Sequence, residues 1–262
     1  MSRKQEQASG ATLIVGRNPV REALERGEPE VEKVMLQKGA GGRPIHDIRQ
    51  MASEAGVPVQ YVPEARLSAI APGLNHQGVA AVVSAVTYAE VDALLSAIAP
   101  DPDAVRRDKP LLVVLDQIQD PHNFGAILRS AVAAGAAGVF VPKHGMAPLN
   151  AAAVKASAGT ATRIPVARAG NLGTLLYQLK ERGYWIVGAA GEGAVSMWEM
   201  DWDRPLALVI GSEGSGLRER TARECDYLVS IPMRGPAESL NASVAAGILL
   251  FVATRDRAIP RP

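Results

Sequence analysis

Three short polar runs carry the residues whose types and spacing can do chemistry. The first, DPHNFGAILR at 120–129, holds Asn123 and Arg129; the second, GSEGSGL at 211–217, holds Glu213; the third, SLNAS at 239–243, holds Ser239 and Asn241. Arg129 stands among Ala126, Ile127, Leu128, Ala131, Val132 and Ala133, and a guanidinium in such company needs either solvent or an anionic partner. Glu213 follows an apolar run and lies among Gly211, Gly214 and Gly216, residues that let a backbone approach a ligand or simply make a tight turn. Each run also has a plain structural reading. Asp120 or Asn123 can cap a helix with Pro121 in its first turn, and Ser239 can cap the last helix. Capping leaves Arg129 unexplained, and it leaves Asn241 as a second amide in the same first turn. Arg129 is left with solvent or an anionic partner, and the glycines with a ligand or a tight turn.

Other chemistries lose support. Neither the phosphate-cradling GxxxxGK[ST] nor a GxGxxG fingerprint occurs, which argues against nucleotide hydrolysis and nicotinamide chemistry. His46, His76, His122 and His144 are scattered without paired or acidic neighbours, so no metal site is expected. Cys225 is the single cysteine, which rules out an internal disulfide and reads as a small buried hydrophobe. The net charge is +1 and the aromatic share 4%, so any nucleic acid must be held by local basic groups rather than bulk charge. Residues 1–11 are polar, and no run approaches the roughly 20 apolar residues of a membrane helix; a cytoplasmic protein without a membrane partner is expected.

The elements that must position these residues fall into two groups. TLIVG at 12–16, VEKVMLQ at 31–37, VPVQYV at 57–62 and VAAVVSA at 79–85 alternate with helix-compatible stretches and predict a small α/β domain over 12–87. Pro100, Pro102 and the charges from Asp101 to Lys109 predict a linker over 88–109, entered by a short helix at about 90–98. A second α/β domain is expected over 110–256. Its apolar runs at 111–118, 138–142, 184–190, 206–211 and 227–233 are continuous rather than alternating, as in parallel strands covered by helices on both faces. Helices are expected near 123–134, 148–158, 172–182 and 215–223. The last, from Ser239 to about Arg255, is apolar or small almost all round, which predicts a subunit interface. Each polar run opens a helix or ends a strand, so all three can meet at one edge of the sheet.

NFGAILRSAVAAGAAGVFVP at 123–142, LALVIGSEGSGL at 206–217 and SIPMRGPAESLNASVAAGILLF at 230–251 resemble, in order, the motifs of the SpoU (TrmH) branch of the SPOUT RNA methyltransferases. LIVGRNPVREAL at 13–24 and HQGVAAVVSA at 76–85 are similar to the RNA-binding domain of its RlmB type, which is like ribosomal protein L30e. The resemblance implies a trefoil-knotted methyltransferase domain with a parallel sheet, preceded by a small L30e-like α/β RNA-binding domain. It further implies a homodimer, S-adenosyl-L-methionine as cofactor, and RNA rather than DNA as partner. The expected reaction is methylation of a ribose 2′-hydroxyl, with a guanosine in the peptidyl-transferase region of 23S rRNA as target; tRNA or another rRNA nucleoside is the alternative, and a non-catalytic RNA-binding protein a further one.

Carried over by residue, the resemblance makes Arg129 the central catalytic group with Asn123, Glu213, Ser239 and Asn241 around it. Gly191, Gly211, Ile231, Met233 and Leu240 fall at the cofactor, and the loop at 234–238, with Pro236 and Glu238, departs from the family pattern. Arg17 and Arg21, at i, i+4 spacing on a predicted helix, are candidate RNA contacts, though their spacing alone equally fits a solvated helix face.

Overall fold

A computed structural model describes residues 12–26, 31–84, 86–191, 194–236, 239–255 and 257. The polar start at 1–11, Ala85 and Glu238 lie outside them. The chain divides into two compact units between Thr87 and Tyr88, with Pro148–Lys155 grouped with the first.

In the first unit, β1 (Thr12–Val15), α1 (Arg17–Arg26), β2 (Val31–Gln37), α2 (Arg43–Glu54), β3 (Val59–Val62), α3 (Glu64–Ile70) and β4 (Val79–Val83) follow one another. The sheet order is β1-β4-β2-β3, with β2 and β3 parallel and the other pairs antiparallel. β4 is buried on both faces because its side chains alternate between two small cores. Val79, Ala81 and Val83 pack with Val20, Ala23, Ile45, Ile48 and Ala52 of α1 and α2, whereas Ala80 and Val82 pack with Leu67 of α3.

The second unit contains α4 (Val91–Ile98), α5 (Pro102–Asp108), β5 (Leu111–Leu115), α6 (Pro121–Ala133), β6 (Gly138–Pro142), β7 (Val166–Ala169), α8 (Leu172–Glu181), β8 (Trp185–Ala189), β9 (Val195–Ser196), β10 (Leu206–Ile210), α9 (Glu219–Arg223), β11 (Tyr227–Ser230) and α10 (Ala242–Thr254). A short helix, α7 (Ala151–Ala156), lies at the boundary between the groupings. All seven strands pair in parallel, in the order β7-β6-β5-β10-β8-β11-β9. β5 and β10 at the middle are buried along their whole length, the environment that the continuous apolar runs require. β10 lies between β5 and β8, so the start of the Glu213 run is brought beside the start of the Asn123 run.

The stretch 88–109 is not a free linker. Leu94, Leu95 and Ala99 of the α4 segment and Ala104 and Val105 of α5 lie in the same core as Leu112, Val114 and Phe140. The charges that suggested a linker occupy the solvent side: Arg106 pairs with Asp103 and Arg107 with Asp108, all exposed. A truncation that isolates the second unit therefore has to cut after Thr87, since a cut at 108 removes part of its core.

The last helix starts at Ala242 rather than Ser239, with Asn241 as its cap. It packs against α6, burying Ala246, Leu249, Leu250 and Ala253, while Ile248 and Val252 are half-buried in the single chain. The strands β7 and β9 and the helix α5 were not expected. VARA and VS are too short and mixed to show a period, and PDAVRRD is mostly charge.

Candidate active site

The first polar run starts α6. Asp120 caps it, its Oδ1 accepting from the His122 N–H at 2.9 Å, and Pro121 takes the first position, where its missing N–H costs nothing. With capping done by Asp120, the Asn123 amide is left for other partners.

The second run follows β10 and folds back on itself. Ser212 and Gly216 exchange two backbone hydrogen bonds of 3.0 Å, which makes 212–216 a tight loop with Glu213 on its exposed side. Gly211 permits this. A Cβ there would lie under 3.0 Å from the Gly216 carbonyl and the Leu217 nitrogen, so only glycine fits beneath the returning chain.

Asp116, fully buried at the end of β5, anchors the loop's far side. Its Oδ2 accepts from the Arg218 backbone N–H at 3.1 Å, and its Oδ1 is 2.7 Å from the Arg218 guanidinium. The next residue, Gln117, holds a left-handed φ of 63°, a cost on the order of 1–3 kcal/mol for a non-glycine residue that surrounding structure must offset. Neither residue was singled out from sequence. A carboxylate closing an apolar strand was the available signal for Asp116; nothing in residue type announces the backbone of Gln117.

Asn241, in the middle of the third run, joins the pieces. Its Oδ1 caps α10, accepting from the Ser243 N–H at 2.9 Å, the Ser243 hydroxyl at 2.6 Å and the Val244 N–H at 3.4 Å. Its Nδ2 donates to Asn123 Oδ1 at 3.0 Å and to Glu213 Oε1 at 3.1 Å, while Asn123 Nδ2 donates to Glu213 Oε2 at 3.3 Å. Two amides thus fix one carboxylate by hydrogen bonds to both of its oxygens. The three residues stand at the carboxyl edge of the parallel sheet, and Asn123 and Glu213 help to line a cavity of about 320 Å³ with Gln117, Gln119, Ser212 and Ser215.

Arg129 and Ser239 are not part of this network. Both are exposed, and among the described residues neither makes a hydrogen bond with Asn123, Glu213 or Asn241. Both Glu213 oxygens face the two asparagine amides.

Strand register sets the places expected for a cofactor. Val209 is level with Gly188, and Val229 with Ala189, so Gly211, Gly191 and Ile231 all lie just past the carboxyl ends of the adjacent strands β10, β8 and β11. A Cβ at Gly191 would meet nothing within 4 Å. Met233 is 39% exposed, and Ile231 and Leu240 are half-buried. Open space at Gly191, with apolar residues just past the neighbouring strand ends, fits a flat nucleoside and a sulfonium tail. Cys225 takes no part: burial pushes its thiol up to about 12, and its Sγ donates to the Thr221 carbonyl at 3.4 Å. Among the described residues no group of three or more His, Cys, Asp or Glu side chains can hold a metal, and no helix is long and apolar enough to cross a membrane.

In the first unit α1 starts at Arg17, directly after Gly16 at φ 100°. The Arg17 Nε donates to the Gln77 carbonyl at 3.0 Å, and Arg21 is exposed, 3.6 Å from Glu25. The structure thus puts both candidates at the start of one helix, one tied to a turn and the other on the surface.

Comparison with known proteins gives these arrangements a family. Residues 110–251 match the SpoU rRNA Methylase family, and residues 13–89 match the domain described as RNA 2'-O ribose methyltransferase substrate binding. A Bacillus subtilis relative, the putative TrmH family tRNA/rRNA methyltransferase YacO, is 39% identical over 244 residues, 93% of this chain and 95% of the relative. The 23S rRNA (guanosine-2'-O-)-methyltransferase RlmB of Xanthomonas campestris is 40% identical over 247 residues, 93% of this chain and 96% of the relative. Among solved structures, the SpoU methyltransferase AviRb from Streptomyces viridochromogenes, in complex with AdoMet, aligns at a TM-score of 0.58 and 28% identity, covering 95% of this chain and 91% of that one. The parallel sheet, the asparagine-bound glutamate at its edge and these matches over nearly the whole length place the chain in the SpoU family of RNA methyltransferases.

Proposed function

We propose that this chain methylates the ribose 2′-hydroxyl of a guanosine in the peptidyl-transferase region of 23S rRNA, using S-adenosyl-L-methionine. The observation that carries the reading is Glu213 held by two asparagine amides at the mouth of a cavity, beside the strand ends suited to the cofactor. The intact network disfavours a purely RNA-binding role. The Xanthomonas relative, matched over nearly the full length, supports the rRNA guanosine over a tRNA or another rRNA nucleoside.

The cofactor supplies an already activated methyl group, so the protein's work is alignment and the handling of one proton. Both Glu213 oxygens are fixed, yet its exposed carboxylate retains lone pairs to accept the hydrogen of the ribose hydroxyl. Arg129, exposed and outside that network, meets the RNA phosphate next to the ribose and stabilises charge building on the attacking oxygen. Ser239 contacts the same RNA segment.

Mapping 2′-O-methylation in RNA from cells with and without the gene tests the assignment. Loss of one guanosine mark in the peptidyl-transferase region is expected, and loss of a tRNA mark instead would move the target. Arg129→Lys is expected to leave methyl transfer at least about tenfold down, because a point ammonium cannot reproduce a forked planar donor. Near-normal transfer would show that only charge matters there.

The proposal includes a cytoplasmic location, where the RNA is, and a trefoil knot, which the family resemblance implies. It also includes a homodimer formed through α10, where Val244 and Phe251 are 49% and 54% exposed. Light scattering at low micromolar concentration should give twice the 27.6 kDa chain mass; a fully active monomer would contradict it.

A further inference from the structure

The first unit contains a second polar cavity, of about 350 Å³, at the ends of β1 and β2 and the start of β4. Arg17, Gln37, Glu64, Asn75, His76 and Gln77 line it, with Ala40, Leu74 and Gly78. Its floor is a turn in which Gln77, a non-glycine residue, holds a left-handed φ of 48°, followed by Gly78 at 77°, which glycine adopts freely. Several contacts fix that turn. Asn75 Oδ1 accepts from the Gln77 N–H at 3.3 Å, His76 Nδ1 accepts from the Gly78 N–H at 3.0 Å, and the Gln77 carbonyl accepts from Arg17 Nε at 3.0 Å. With Nδ1 accepting, the His76 proton sits on Nε2, 3.2 Å from the Ser68 hydroxyl, so both ring nitrogens are committed. A Cβ on Gly78 would press on Ala40 and on Gln37 Oε1 at 3.3 Å. Strain held by surrounding contacts around an open polar cavity is the pattern of a ligand clamp.

The wall opposite is rich in acceptors. Gln37 Nε2 donates to Glu64 Oε2 at 3.2 Å, which leaves the Gln37 carbonyl and the other Glu64 oxygen as acceptors for a ligand. Among the described residues of the lining, Arg17 is the one cation. The geometry points to a pocket for a single unstacked guanine nucleotide of the RNA substrate, with Glu64 and Gln37 reading the base and Arg17 at its phosphate. A carboxylate suits guanine, whose Watson–Crick edge offers two adjacent N–H donors. Adenine and cytosine put an acceptor beside their amine, and uracil flanks its one N–H with carbonyls. The inference rests on the reading that the first unit binds RNA, and it adds a base-specific contact apart from the methylated ribose.

The test uses the full chain and short oligouridylates carrying one central guanosine or one central adenosine. The guanosine oligomer should bind about tenfold tighter, and Glu64→Gln should abolish that preference while leaving the salt dependence unchanged. Glu64→Gln preserves shape and an acceptor for Gln37, so folding is not at stake. Arg17→Ala should weaken both oligomers and flatten the salt dependence by about one unit of slope. Absence of a guanosine preference, or its survival in Glu64→Gln, overturns the pocket. If a large-subunit rRNA transcript still binds in that case, the RNA-binding reading stands; if the transcript does not bind either, both fall.

Discussion

Gly211→Ala is expected to lower methyl transfer on the order of 100-fold or more, because it displaces the loop that carries Glu213. The added methyl group would sit under 3.0 Å from the Gly216 carbonyl and the Leu217 nitrogen, which are backbone atoms and cannot rotate away. The loop must open, and the two 3.0 Å bonds between Ser212 and Gly216 are strained or lost. A shift of about 1 Å in a group that aligns a substrate can cost a factor of about 100 in rate. Overpacking at a close approach costs about 1–3 kcal/mol in stability as well, so the melting temperature should fall while the circular dichroism stays that of an α/β protein. Transfer at near the parent rate would mean that Glu213 does not need its observed position.

Asn241→Asp should separate the two roles of Asn241. Aspartate is as good a helix cap as asparagine, so the bonds to Ser243 and Val244 should persist. The other side-chain atom changes from a donor to a negative acceptor, facing Glu213 Oε1 and Asn123 Oδ1 where distances are now 3.1 and 3.0 Å. Loss of one preorganised donor costs about 100- to 1,000-fold in turnover, and repulsion between carboxylates adds to it. Two carboxylates so close favour sharing a proton, which raises the apparent pKa of the pair. The sign follows: below that pKa the shared proton restores a donor, and above it repulsion is complete. The variant should thus be nearly as stable as the parent near pH 5 and less stable at pH 8. Asn241→Ser keeps the cap and removes the donor without adding charge, so it should lose activity with no new pH dependence of stability. Equal pH behaviour of the two variants would show that Asn241 and Glu213 are not in contact.

Residue order alone determined a good deal about this protein. Continuous apolar runs such as LLVVL and LALVI suit only strands covered on both faces, so the parallel sheet was legible before any coordinates. GVFVP at 138–142 and VEKVMLQ at 31–37 are strands over the limits expected. The three polar runs could be assigned to strand ends and helix starts because Asp, Asn, Pro and Gly have conformational preferences that act locally.

Other features depended on distant parts of the chain. Asn123 and Glu213 are 90 positions apart and Asn123 and Asn241 are 118 apart; the placing of β10 beside β5 and the packing of α10 on α6 bring them within hydrogen-bond reach. The choice of Asn241 over Ser239 as the cap was also tertiary, since the same side chain must bridge to Glu213. The stretch 88–109 looked like a linker because α4 and α5 are short and bear charge on their outer sides, while the core that receives Leu95 and Val105 is built by residues far along the chain. Left-handed turns at Gln77 and Gln117 have no signature in residue type, because contacts made only in the folded chain offset their cost.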